Sequence, residues 1–450
     1  IKFSSLLIFG SLTLVSSNNL IQFFVGWQII TLSSYLIINF SKKQNNFNNG
    51  SVFLLNRLSD LSIFLCLYFL YSITNSVNFD VIFESNYLSK NIELNIFDFN
   101  FSNFELISFV LFLSFLFRCR QFFVQSSEYH FSKIKTSILA LLYSGIYLPS
   151  GIYFILRFLS LTHTNYHFFN IITLLGLILI IIFTLLFFTS KDLKSLALYV
   201  ACSQFSILIF LVGLKIFNAV FFYLLTSTLS VTMLFIGFSI IITKLNGEHQ
   251  INKMGSLLNK TPATFLFILI GSLSLIGVPF FSGFYSKILI FSALSSLSEI
   301  FMFFVIFLCF CYMFLLSYTL FKNIFITFLC QNNCDIHLYN KIKEKMFITK
   351  LLLVLLSICI ISSGWFLNNL FSGSNPEYFW NLALNINTSF SLSLDNQIYD
   401  WFIEQTNIVC LIGILLSIFN YFLIPKIGNN IKIRNNKIFK YYSSYLSSNN

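Results

Sequence analysis

Lys287 is the residue best placed for chemistry in this chain. It lies inside an apolar stretch, in Gly277-Val278-Pro279-Phe280-Phe281-Ser282-Gly283-Phe284-Tyr285-Ser286-Lys287. A proline and two glycines at that spacing interrupt a helix and free backbone carbonyls, which hydrocarbon tolerates only where protein or water satisfies them. An amine beside such a break is suited to binding and releasing a proton; the alternative is a lysine that snorkels to the membrane interface. Arg57 and Asp60 form a second pair, in Asn56-Arg57-Leu58-Ser59-Asp60. Their i, i+3 spacing puts both on one helical face, and they read equally as a structural ion pair or as part of a polar chain through a membrane.

Two further basic positions complete the proton-path candidates. Arg118 ends an apolar run, with Arg120 and Gln121 beside it. Arginine hardly deprotonates, so it suits organising water or a carboxylate rather than carrying protons. Lys194 opens another run, in Ser190-Lys191-Asp192-Leu193-Lys194. Asp192 is placed to cap a helix N-terminus there, and Lys194 reads either as a relay group or as a solvated loop charge. No glycine-rich nucleotide loop, haem-attachment motif or nucleophile elbow is present, so no catalytic residue and no cofactor are expected in the chain itself. The five histidines fall in loops and the nine cysteines are scattered, without the paired spacing of a metal site. No metal is expected.

What positions these residues is set by composition. The chain is 57% hydrophobic and only 10% charged, whereas soluble chains carry about 25% charged residues. Such a chain cannot cover itself with polar groups, and its solvent is lipid. With about twenty apolar residues per crossing, twelve spans are expected, at 3–17, 20–40, 52–72, 105–125, 137–159, 168–189, 193–213, 216–243, 263–292, 299–321, 347–370 and 407–425. Two long polar loops, 73–104 and 373–405, separate them. The fold class is therefore an all-α polytopic membrane protein. The opening residues carry no small-residue cleavage site, so no signal peptide is expected.

Loop charge tests the count independently, because Lys and Arg collect on the side that is not translocated. One side holds Lys42 and Lys43, Arg118 to Lys135, Lys191 and Lys194, Lys244 to Lys260, Lys322 to Lys345, and Lys426 to Lys440. The other holds Asp80, Glu84, Glu93 and Asp98, then Glu377, Asp395, Asp400 and Glu404. A missed span would break this alternation, and both ends fall on the positive side. The net charge of +11 is thus spent on topology, and no nucleic-acid partner is expected.

Several strings, in order along residues 1 to about 425, carry a resemblance. They are Ser17 to Gln28 (SNNLIQFFVGWQ), Leu55 to Asp60 (LNRLSD), Asp192-Leu193-Lys194 with Cys202-Ser203-Gln204, Lys253 to Leu258 (KMGSLL), Gly271 to Pro279 running into Lys287, and Gly364-Trp365-Phe366-Leu367. Together they resemble the antiporter-like subunit 5 family of respiratory complex I, the proton-pumping NADH:ubiquinone oxidoreductase. The resemblance implies two inverted repeats with discontinuous helices over residues 1–325. It also implies a positive-side (matrix) loop at 326–346, two further spans within 347–425 and a basic tail at 426–450.

The resemblance further implies a multi-pass protein of the mitochondrial inner membrane with both termini in the matrix. Its partners would be other membrane-arm subunits, including the subunit 4 homologue, a separate chain supplying helices the family has before Ile1, and membrane lipids. NADH, FMN, iron–sulfur clusters and ubiquinone would belong to other subunits.

Six positions depart from the family pattern. Gln28 stands where a glutamate is usual, Tyr143 and Ser227 where histidines are usual, Val231 where a lysine is usual, and Ile288 where an acidic residue follows the last lysine. Arg118 replaces a further lysine. The same fold therefore admits two roles: a proton-translocating subunit using Lys287, Asp60, Arg57 and Lys194, or a scaffold that has lost its own path. A free cation/proton antiporter is a third reading, disfavoured by the lost ionisable groups.

Overall fold

In hydrocarbon a polar backbone must satisfy itself within its own segment, and for a single apolar stretch the α-helix does so. The computed structural model of the protein describes residues 2–40, 50–83, 93–96, 99–119, 134–158, 166–294, 299–330, 333–334, 336–342, 344, 347–372 and 396–432. Among these, nine helices are long and apolar enough to cross a membrane, and four shorter apolar helices accompany them.

In chain order the helices are α1 (Lys2–Val15), α2 (Leu20–Phe40), α3 (Gly50–Thr74), the single turn α4 (Phe79–Ile82) and α5 (Asn103–Cys119). Next come α6 (Thr136–Leu142) and α7 (Leu148–Arg157), joined by a π-helical turn at Tyr143–Tyr147. Then follow α8 (Tyr166–Thr189), α9 (Leu193–Gly213), α10 (Phe217–Lys244), α11 (Pro262–Ile276), α12 (Ser282–Leu294), α13 (Glu299–Ile324), α14 (Ile336–Lys341), α15 (Phe347–Ser372) and α16 (Asn396–Lys432). With α11 and α12 sharing one crossing, each of the twelve expected spans holds helix over its described residues; residues 120–125 and 159 lie outside them. The last helix runs past 407–425 at both ends, because Asn396 to Glu404 is polar enough to escape a hydropathy ruler yet continues the same helix.

Among the described residues, two short strands interrupt the helical pattern. Strands β1 (Glu93–Ile96) and β2 (Phe99–Ser102) pair antiparallel in the acidic loop, with Ile96 opposite Phe99.

The centre of the bundle is α9, buried at every residue except Ser195, its polar Lys194, Ser203 and Gln204 included. A helix that shows neither lipid nor water a face belongs in the interior, and α9 packs against α8 and α10. Its approach to α8 is close enough that a Cβ on Gly176 would stand 2.7 Å from the Phe210 backbone, the small-residue contact typical of packed membrane helices. By contrast α15 and α16 expose rows of Leu, Ile and Phe, as lipid-facing helices do.

Among the described residues, Arg157 and Lys215 are basic groups on the acidic side, and each has local work there. Arg157 closes α7, donates to the Ser17 carbonyl at 3.4 Å and lies 4.8 Å over the Phe79 ring. Lys215, in the α9–α10 turn, has a φ of 62° and its Nζ sits 4.5 Å from the Phe169 ring centre. Burial pushes the Lys215 amine below the ordinary lysine value.

Candidate proton site at the broken helix

Helix α11 stops at Ile276 because Gly277 takes a φ of +87°, a conformation open to glycine without strain. The Gly277 and Val278 amides turn back to the carbonyls of Ser274 and Leu273 at 3.1 Å each. This accounts for two of the last four carbonyls of the helix. Pro279 has no amide to offer the next turn, and α12 begins at Ser282.

The remaining two carbonyls belong to Leu275 and Ile276, and Lys287 takes both. Its Nζ donates to the Ile276 oxygen at 2.7 Å and also to the Leu275 oxygen. Lys287 is 6% exposed. An ammonium on the negative end of a helix dipole is favourably placed, so the break and the buried charge satisfy one another. Cys410, from α16, donates its thiol to the same Ile276 oxygen at 3.4 Å. On the other side, the Thr226 hydroxyl of α10 donates to Ser286 at 3.0 Å.

Beside Lys287 lies a small cavity of about 30 Å³ whose lining includes Leu177, Ile180, Phe210, Phe291, Cys309 and Tyr312. Tyr312 belongs to a buried cluster contributed by three helices. The Tyr223 hydroxyl donates to Gln204 Oε1, Gln204 Nε2 donates to the Tyr312 hydroxyl at 2.6 Å, and Ser203 Oγ lies 3.4 Å from that hydroxyl. Ser203 in turn donates to the Val200 carbonyl at 2.7 Å. A side-chain amide in the middle of such a chain fixes hydroxyl directions but does not pass a proton on as a hydroxyl or water would.

The other expected residues occupy different helices. Arg57 Nη1 pairs with Asp60 Oδ2 at 3.2 Å and lies 3.4 Å from Gln28 Oε1, while the guanidinium sits 5.0 Å over Phe53. Gln28, Arg57 and Asp60 therefore form one group between α2 and α3. Lys194 is buried rather than solvated, and its Nζ donates to the Ile134 carbonyl at 3.3 Å, where the chain enters α6.

Asp192 holds the N-cap position of α9 without a side-chain cap bond; its carboxylate instead faces His249 Nε2 at 3.9 Å. The two loops are already tied by the Leu193 amide on the His249 carbonyl and the Ile251 amide on the Lys191 carbonyl, which holds Asp192 across from His249. Arg118 lies in the last turn of α5, and its side chain falls outside the described residues. Tyr143 is fully buried in the π-helical turn, edge-on to Tyr147 at 5.7 Å. Ser227, Val231 and Ile288 are all buried, and the Ser227 hydroxyl bonds back to the Leu224 carbonyl of its own helix at 3.3 Å.

The structure thus brings Gln28, Arg57 and Asp60 together and leaves Lys194 and Lys287 on separate helices with partners of their own. Sequence reasoning missed Tyr223 and Tyr312. Among 21 tyrosines nothing local marks them, although Gln204, their shared partner, stands in the Cys202-Ser203-Gln204 string.

Long apolar helices packed round one broken crossing, with a lysine closing the break, define a multi-pass helical membrane protein of discontinuous-helix architecture. The family described as NADH:quinone oxidoreductase/Mrp antiporter, TM, matches residues 17–314, and the chain belongs to it. Chain 5 of the NADH-ubiquinone oxidoreductase of Chondrus crispus is 30% identical over 385 residues, covering 84% of this chain and 58% of that protein. The corresponding chain of Acanthamoeba castellanii is 26% identical over 447 residues, 98% of this chain and 66% of that one. Subunit L of the NADH-quinone oxidoreductase of Rickettsia typhi is 31% identical over 295 residues, 65% of this chain and 45% of that one. The chain therefore spans less than two thirds of the length of these curated relatives. The Mrp complex from Dietzia sp. DQ12-45-1b shares the fold, with a TM-score of 0.73 at 15% identity, over 99% of this chain and 50% of that one.

Proposed function

We propose that the chain is a membrane-arm subunit of respiratory complex I that takes part in proton translocation coupled to NADH oxidation by ubiquinone. Its site is the mitochondrial inner membrane, with the basic loops and both ends of this chain in the matrix. The redox groups belong to other subunits, and the subunit 4 homologue is its neighbour. The observation that carries the proton role is Lys287, buried and held by the two carbonyls that the helix break leaves over. Sliding α12 against α11 would take the ammonium off these oxygens. An ammonium left without acceptors in a low-dielectric interior would pass its proton to a water reaching it, and take one back from water when the carbonyls are regained.

A second reading, a scaffold subunit with no path of its own, is favoured by the apolar walls beside Lys287 and by the amide that interrupts the tyrosine cluster. Membership in the complex is tested by affinity isolation of the tagged chain from its native membranes. NADH:ubiquinone reductase activity is expected in the isolated assembly and is expected to fall when the chain is depleted; a chain isolated without that activity overturns the assignment. Impermeant thiol labelling of Lys253→Cys and Asp80→Cys variants should occur from opposite compartments, with Lys253 on the matrix side.

A further inference from the structure

The two ends of α11 are held by opposite charges from elsewhere in the chain. At the C-terminal end the ammonium of Lys287 closes the last two carbonyls. At the N-terminal end the helix begins without a cap of its own. Thr261 occupies the N-cap position but makes no side-chain cap bond, its hydroxyl being turned to the Leu257 carbonyl at 3.0 Å. Pro262 has no amide to satisfy, which leaves the amides of Ala263 and Thr264.

Both are taken by one carboxylate from eighty residues downstream. The Thr264 amide donates to Glu344 Oε1 at 3.0 Å and the Ala263 amide to Glu344 Oε2 at 3.4 Å. A carboxylate across the first-turn amides is the favourable sign for this end of the dipole. Glu344 is itself held by Lys350 at the start of α15, at 3.4 Å, and its side chain is only 12% exposed.

The segment that carries Glu344 is docked rather than loosely draped. Asn333 Nδ2 donates to the Asn252 carbonyl at 3.1 Å, and the Tyr339 hydroxyl donates to the Ser256 carbonyl at 3.0 Å. Lys260 Nζ lies 5.0 Å over the Tyr339 ring. Phe328, just before this segment, packs edge-on against Phe265 in the first turn of α11 at 5.1 Å. Asn333, Tyr339 and Glu344 are therefore docked on the 252–264 stretch that leads into α11, with Glu344 on its first-turn amides.

We infer that Glu344 is a positioning residue for Lys287: it fixes the height of α11, and with it the two carbonyl oxygens that hold the lysine about 22 Å away along fifteen residues of helix. Withdrawing Glu344 would loosen α11 and free Lys287 from its acceptors. This deepens the proton-site reading, but its structural part does not depend on it.

The test is hydrogen exchange on the assembled complex carrying Glu344→Ala, Glu344→Gln, and Glu344→Ala combined with Ala263→Asp. In Glu344→Ala, exchange is expected to rise about tenfold at Thr264 and also at Gly277 and Val278, at the far end of the helix. Glu344→Gln keeps an oxygen acceptor, so a smaller rise is expected, and this variant serves if the alanine form does not assemble. Ala263→Asp supplies a carboxylate in the first turn and is expected to return all three amides towards the parent rates. A rise confined to Thr264, or no recovery in the double variant, overturns the inference. The proton-to-electron ratio separates this from the functional reading. If it falls with Glu344→Ala and recovers in the double variant, both stand. If it never moves while Gly277 and Val278 exchange faster, the positioning role stands and the proton role fails.

Discussion

Gly283 in α12 lies so close to the Ser274 carbonyl of α11 that a Cβ at position 283 would stand 1.8 Å from that oxygen. The two half-helices pass each other backbone to backbone, and this contact sets how far Lys287 stands from the carbonyls of Leu275 and Ile276.

Gly283→Ala should therefore push α11 and α12 apart and cost about 3 kcal/mol or more, since the obstacle is backbone and not a flexible side chain. Gly145, in the π-helical turn, has no atom within 4 Å of a would-be Cβ, and Gly145→Ala should change stability by less than about 0.5 kcal/mol. Thermal unfolding of the two variants in detergent makes the comparison. Equal stability would mean the broken crossing does not pack as described.

Asp60 and Arg57 should respond unequally to loss of the other. The carboxylate side chain is 6% exposed and the guanidinium 36%. Arg57→Met strands a buried anion and should cost about 3 kcal/mol; Asp60→Asn leaves a cation that can still reach Gln28 and the edge of the bundle, and should cost less than half as much. The double variant should be less destabilised than the two singles summed. Additive, equal losses would show that the pair is not the unit described.

Tyr312→Phe removes the acceptor of the Gln204 amide and should destabilise by about 1–3 kcal/mol, the cost of a buried donor left unmade. Because the amide interrupts the hydrogen-bonded cluster between Tyr223 and Tyr312, the same variant should leave the proton-to-electron ratio of the complex unchanged. A lower ratio would mean that protons do travel through Tyr312.

How far the sequence disclosed these features follows from the range of each interaction. The spans were legible because lipid demands about twenty apolar residues whatever surrounds them. The break before Lys287 was legible too, since glycine and proline act on their own backbone. Arg57 and Asp60 were legible as a pair because three residues separate them on one helix. The burial of Lys194 was not, because its acceptor at Ile134 lies sixty residues earlier. Nor was the partnership of Gln204 with Tyr312, formed across 108 residues, or the reach of Glu344 back to Thr264. Asp192 was well placed to cap α9, but the backbone pairing with the 249–251 loop holds its carboxylate towards His249. Contacts of this kind are decided by how helices assemble, and no local pattern announces them.

The proton role of Lys287 is tested most directly by Lys287→Met in the assembled complex, with protons translocated and NADH oxidised measured together in sealed vesicles. Methionine fills the same space and removes the charge. The expected result is a lower proton-to-electron ratio with NADH oxidation continuing. An unchanged ratio in a correctly assembled complex would contradict the account and leave this chain as a scaffold.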